Sequence, residues 1–341
     1  MERLVVDGFG KFVGKRENQI VIKENGKELT YALAQELKQV VISGSGSIST
    51  DALALLAENC VDVIFINRRG EVSMRLSSPE MRTVQTRKEQ YYAFKDWRSG
   101  HLAKNFVIGK LKNQMSSIYS WAKNRTDSDK ITADMLLNKR DEIENSIERI
   151  DALKDDKIDN LRESLMGHEG MAATHYWTAF SLLIPEKFSF KERSGRDAED
   201  GINSLLNYGY ALLEGESWRM VHLAGLDPYG GYLHVDRPGK PSMVLDLMEE
   251  FRQQIVDKTV IFMVSKNMVN LKDFVIEEDR CTIDKTLKKT YISKILEKFD
   301  EYITYRNVKI KWSDLMLDQA RSVAKFLRNE VNSYDPFYLR W

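Results

Sequence analysis

The chain has 341 residues, 43% of them hydrophobic and 30% charged, with 51 basic side chains against 51 acidic ones and a mean hydropathy of −0.42. That length predicts two domains, and the composition excludes a largely disordered, a collagen-like or a polytopic membrane chain. Zero formal net charge excludes a globally basic nucleic-acid binder but leaves local patches open, and Cys60 and Cys281 are too few for a disulfide scaffold or a Cys-rich zinc site.

Met1-Glu2-Arg3-Leu4 opens no basic leader with an apolar stretch behind it. The longest apolar runs, such as residues 61–66, fall far short of the ~20 residues of a membrane span. The chain is read as cytoplasmic, with no membrane partner.

The first ninety residues read as strands. Leu4–Gly10 leads to Lys11–Lys15, and Gln19–Lys23 runs into Asn25-Gly26, a hairpin signal because both residues tolerate positive φ. Val40–Ser43 is a further strand, closed by Gly44-Ser45-Gly46-Ser47 as punctuation. Thr50–Asn59 carries a helical apolar face, and Val63–Ile66 with Val72–Leu76 flanks a turn at Arg68-Arg69-Gly70. From Val84 the apolar period becomes helical: 85–97, 103–123, 135–166, 172–183, 201–214, 242–255, 259–268, 284–303 and 315–329, with a polar loop over 188–199. The prediction is an α+β chain, an N-terminal β-rich domain (1–90) followed by a larger all-α C-terminal domain (91–341).

Four groups of residues bear on chemistry. Trp97–Thr126 contains no acidic residue but holds Arg98, Lys104, Lys110, Lys112, Lys123 and Arg125 with aromatics between them. Such a stretch suits a phosphate backbone, or else forms a solvated basic face balanced by the acidic helix from Asp141. Glu169 lies between Gly167 and Gly170 at the junction of two helical patterns, either where a ligand approaches closely or as an exposed residue of a helix-to-helix turn. His234 ends a turn-rich loop, Gly225–His234, as a ligand or as a structural histidine. Asp246, Glu249 and Glu250 share one helix face opposite the stripe Val244, Leu247, Met248, Phe251, Ile255. They are either convergent carboxylates or an ordinary solvated face. Together these donors give mixed O/N ligation suited to Mg²⁺ or Mn²⁺, and metal-assisted phosphoryl transfer is the chemistry that fits.

The order of these motifs resembles the CRISPR-associated spacer-acquisition integrases, the universal CRISPR-associated endonuclease family. The resemblance rests on Lys110-Leu111-Lys112-Asn113-Gln114, Glu169-Gly170-Met171-Ala172-Ala173 with Tyr176-Trp177, and Phe190-x-x-Arg193. It continues through Asp200-x-x-Asn203 to Tyr210, Gly225-Leu226-Asp227-Pro228 to His234, and Asp246 to Arg252. It implies metal ligation by Glu169, His234 and Glu249, with Asp246 as the alternative third ligand, and a homodimer, here assigned to residues 1–90. It further implies double-stranded DNA (protospacer and repeat array) as substrate, against the basic surface that includes Lys104, Lys110, Lys112, Lys123 and Arg125. A small CRISPR-associated protein bridging two dimers is the remaining implied partner. The reaction it implies is attack of a DNA 3′-hydroxyl on a phosphodiester of the array. Two other classes fit the residues: a non-catalytic DNA-binding scaffold and a metal-dependent small phosphoesterase.

Overall fold

The computed structural model describes residues 3–67, 72–76, 83–195, 198–277 and 280–340. Two compact units divide the chain, Met1–Met81 with Asn207–Gly215, and Arg82–Leu206 with Glu216–Trp341. Among the described residues no helix is long and apolar enough to cross a membrane.

The first unit is a six-stranded sheet in the order β3-β2-β1-β4-β5-β6. Its strands are β1 (Arg3–Arg16), β2 (Gln19–Glu24), β3 (Lys27–Leu33), β4 (Gln39–Ile48), β5 (Asp62–Ile66) and β6 (Val72–Leu76), with helix α1 (Thr50–Glu58) crossing over between β4 and β5. The turn between β2 and β3 uses Asn25 (φ 49°) and Gly26 (φ 77°), as the sequence predicts. Arg68-Arg69-Gly70 lies outside the described residues.

One expectation is corrected here: Gly44–Ser47 does not end a strand but continues β4, which runs parallel to β1. The glycines serve close approach. A Cβ at Gly44 would stand 2.2 Å from the Gly8 carbonyl oxygen, and one at Gly46 2.2 Å from that of Lys11. The buried face gathers Leu4, Val6, Val13, Ile20, Ile22, Val40, Leu56 and Val63. In the same unit Tyr208 pairs its hydroxyl with Ser43 Oγ at 3.1 Å.

The second unit is helical: α2 (Val84–Ala93), α3 (Trp97–Lys123), α4 (Lys130–Asp151), α5 (Ile158–Ser181), the flanks of α6 (Gly201–Leu223), α7 (Ser242–Met248), α8 (Lys258–Ser265), α9 (Lys285–Asp300) and α10 (Trp312–Leu327). Two hairpins not visible as strands in the sequence pattern interrupt it, Phe274–Glu277 with Arg280–Ile283 (β7, β8) and Tyr302–Tyr305 with Val308–Lys311 (β9, β10). The second turns on Arg306 (φ 49°) and Asn307 (φ 64°), a pair of left-handed residues that matches strand twist.

Two helix boundaries also move. The pattern over 135–166 breaks after α4, and α5 then runs unbroken through Gly167 and Gly170 to Ser181. No Gly or Pro marks the break. Tertiary contacts hold it open: His101 Nδ1 and Lys104 Nζ reach Asp155 at 2.8 and 2.7 Å, and Ser99 Oγ accepts from Ile158 N at 3.0 Å. Gly100 lets the Asp156 carbonyl in where a Cβ would stand 2.0 Å away. The two glycines inside α5 face open space and cost about 1 kcal/mol each against alanine, which burial of Leu165, Ala172 and Tyr176 offsets.

Candidate functional site

Glu169 is therefore a mid-helix residue, not a turn residue. It lies on the α5 face that also carries Leu165, Ala172 and Tyr176. Two turns further along, the Tyr176 hydroxyl donates to Asp257 Oδ2 at 2.6 Å and ties that face to residues 253–257. Those five residues form a π-helical turn between α7 and α8, a distortion that re-aims the side chains around it.

His234 is held by a loop with little freedom. Gly225 (φ 76°) ends α6, with Leu226 N donating back to the Val221 carbonyl. The buried Gln90 side chain on α2 donates to the carbonyls of Asp227 (2.9 Å) and Gly230 (2.7 Å) and accepts from Asp227 N at 2.8 Å. At Gly231 a Cβ would stand 2.3 Å from the Ser242 carbonyl carbon, so the loop is pressed against the start of α7. No sequence motif announces Gln90.

Asp246, fully buried on α7, completes this clamp. Its Oδ2 accepts from Tyr232 N (2.6 Å) and Leu233 N (2.9 Å), and its Oδ1 from His234 N (3.0 Å) and the His234 Nδ1 (2.7 Å). With its acceptor positions filled, Asp246 holds Nδ1 and orients the imidazole, leaving Nε2 as the ring atom turned away from it. That nitrogen stands 3.9 Å from Glu249 Oε1.

Glu249, on the turn just after α7, is surrounded by charge. Its side chain is 3% exposed, its Oε1 lies 3.1 Å from Arg252 Nη2, and its Oε2 lies 2.8 Å from Lys110 Nζ. The Lys110 side chain on α3 is 13% exposed, and its ammonium also pairs with Glu169 Oε1. Burial opposes the Glu249 charge, yet Arg252, Lys110 and His234 outweigh it and hold the carboxyl down at about 2. Burial likewise works against the Lys110 charge, but Glu249 and Glu169 keep its pKa above the ordinary lysine value.

Glu250 points to different company. It is fully buried, its Oε1 accepts from the Tyr334 hydroxyl at 2.5 Å, and its Oε2 accepts from Phe337 N (2.8 Å) and Gln319 Nε2 (3.0 Å). Burial raises this carboxyl to about 8 despite those bonds. Asn113 works beside it: its Nδ2 donates to the carbonyls of Glu250 and Phe337, both at 2.9 Å, and its Oδ1 accepts from Leu339 N at 3.1 Å. The segment 333–339 is thus fastened over α3. The three acids are all buried rather than a solvated face, and they do not converge on one point.

The basic stretch is mostly interior as well, since α3 buries most of its length. Lys104 pairs with Asp155 and donates to the Leu153 carbonyl at 3.1 Å. Lys112 lies 4.6 Å from the Tyr338 ring centre, Arg125 donates to the Trp121 carbonyl at 3.2 Å, and Lys123 is exposed.

Glu169, Glu249 and His234 Nε2 would offer an oxygen-rich donor set with one nitrogen, and Asp246 would be the outer carboxylate that metal-bound histidines commonly carry. The residues fit a hard divalent cation. Among the described residues no three His, Cys, Asp or Glu side chains are already gathered to hold one, and an ammonium lies against both carboxylates.

The sheet unit and the larger helical unit give the fold class, and the match of the sequence to a family model gives the family. The chain belongs to the family described as CRISPR associated protein Cas1, whose model matches residues 4–297. It is 43% identical to a CRISPR-associated endonuclease Cas1 of Archaeoglobus fulgidus over 99% of this chain and 100% of that one. In fold it is similar to a casposase bound to integration product, with a TM-score of 0.84 at 23% identity, covering 98% of this chain and 93% of that one. It also resembles a chain of a Cas6-RT-Cas1–Cas2 complex, with a TM-score of 0.81 at 20% identity, covering 99% of this chain and 36% of that one.

Proposed function

We propose that the chain is a metal-dependent DNA integrase and endonuclease that inserts spacers into a CRISPR array. The observation that carries the reading is that Lys110 Nζ pairs with both Glu169 and Glu249, while the Asp246-oriented His234 presents Nε2 3.9 Å from Glu249 Oε1. Glu169 and Glu249 would hold a Mg²⁺ or Mn²⁺ ion through oxygen and His234 through Nε2. Asp246, filled by amide donors, acts as the orienting carboxylate and not as the third ligand. Bound there, the ion supplies Lewis-acid polarisation of a phosphodiester and eases loss of the attacking hydroxyl's proton.

Attack by a DNA 3′-hydroxyl exchanges one phosphodiester for another, so no energy cofactor is needed. Water in place of the hydroxyl gives cleavage. Residues 91–341 carry the catalytic and DNA-binding work and residues 1–90 make the homodimer. A small CRISPR-associated protein bridges two dimers, in keeping with the Cas1–Cas2 complex among the structural neighbours. Lys123 and Arg125, at the open end of α3, are the best placed of the five cations to meet phosphates. The setting is cytoplasmic. The test is Mn²⁺-dependent strand transfer of a 3′-hydroxyl oligonucleotide into a repeat-array target. Wild-type protein should form the joined product and Glu169→Ala should not; equal product from both would overturn the reading.

A further inference from the structure

Lys110 stands inside the ion site. Its Nζ pairs with Glu169 Oε1 and lies 2.8 Å from Glu249 Oε2, the same oxygens that the proposed ligand set needs. Glu249 Oε1 is meanwhile taken up by Arg252 at 3.1 Å. His234 is held through Nδ1 by Asp246 and turns Nε2 toward Glu249. Two carboxylates and two cations therefore balance before any divalent ion enters. The helix is closely packed just before Lys110: a Cβ at the preceding Gly109 would stand 2.9 Å from Pro336 Cβ and 3.1 Å from Glu250 Cγ. Asn113, one turn on, is bonded into the same packing. With the backbone packed there, movement falls to the side chain, and a lysine is suited to that, being a compact charge on a flexible stem.

We propose that Lys110 is a built-in counter-ion that occupies the divalent-ion position in the metal-free protein and must swing out for the metal to enter. It keeps Glu169 and Glu249 together without metal, and it sets the metal concentration at which the site fills. The inference rests on the ligand reading above. A site closed by the ammonium in nine molecules of ten binds its metal about tenfold more weakly than an open one, because apparent affinity scales with the competent fraction.

The test is direct titration of Mn²⁺ by electron paramagnetic resonance of the free ion, without DNA or turnover. Wild-type protein, Lys110→Met, Lys110→Gln, Lys110→Arg and Glu169→Gln are compared. Lys110→Met and Lys110→Gln should bind Mn²⁺ about tenfold more tightly than wild type, while Lys110→Arg, which keeps the charge, should show no gain. Metal-free Lys110→Met should melt below wild type and recover with Mn²⁺. Lys110→Gln keeps a hydrogen-bond donor at the position and reads the same direction should the Met variant fold poorly. Equal or weaker Mn²⁺ binding by the neutral variants overturns the counter-ion role while leaving the ligand set standing. Equal binding by wild type and Glu169→Gln overturns the ligand set itself.

Discussion

Glu249 and Glu250 are neighbours in sequence, equally buried, and opposite in chemistry. Glu249 faces Lys110, Arg252 and His234 and is held ionised, its carboxyl at about 2; Glu250 faces Tyr334, Phe337 and Gln319 and is raised to about 8. One side of this turn is a cluster of ion pairs, and the other is an anchor for the segment 333–339. Burial costs both carboxylates the same kind of desolvation, and the difference lies in whether fixed cations or neutral donors stand opposite.

The largest effects should come from breaking the ionic side. Glu169→Ala, His234→Ala or Glu249→Ala should each reduce metal-dependent strand transfer to background while circular dichroism still reports a folded helical protein. Asp246→Asn should do less, because it loosens the imidazole without removing a ligand. A fall of about 10–100-fold in Mn²⁺ affinity is expected, read by titration.

The anchor side should show itself in stability against pH. A carboxyl whose folded pKa is raised binds its proton more tightly when folded, so its contribution is present below the unfolded value of 4.5 and is lost as pH rises through about 8. Glu249 has the reverse sign in the metal-free protein, with stability present above 4.5 and lost as pH falls through about 2. Glu250→Gln should flatten the decline between about 4.5 and 8 in urea melts while keeping the acid limb. An unchanged slope would mean that Glu250 is ionised in the fold. Tyr334→Phe, which deletes one buried hydrogen bond from the anchor, should cost about 1 kcal/mol.

The smallest effect concerns DNA. Lys123→Glu and Arg125→Glu should each flatten the log–log salt dependence of duplex binding by about one unit. Lys104→Glu should act through folding instead, since Lys104 holds the break between α4 and α5.

Much of this was legible in the sequence where the signal is local. Asn25-Gly26 marks its turn, and the change of apolar period near Val84 marks the passage from sheet to helices. Glu169, His234 and Glu249, proposed as ligands from the sequence, lie far apart in the chain; the fold links the two glutamates through Lys110 and sets His234 beside Glu249. What the sequence hid depends on distant partners. Gly44 and Gly46 resembled punctuation because their role is to admit the backbone of β1, and the break after Asp151 carries no breaker because His101, Lys104 and Ser99 hold it. Period alone placed Asp246, Glu249 and Glu250 on a polar face. It could not show that amides at 232–234, the cations Lys110 and Arg252, and the segment 333–339 would each take one acid into the interior. Lys110 was visible as a cation in an acid-free stretch, but its partners lie on α5 and beyond α7.

The contrast between the two glutamates can be measured in one experiment, Mn²⁺ titration of Glu249→Gln beside Glu250→Gln at neutral pH. Loss of binding in Glu249→Gln with binding retained in Glu250→Gln is the result predicted here. Retained binding in both, or loss in Glu250→Gln alone, would contradict the assignment of Glu249 to the ion and Glu250 to the anchor.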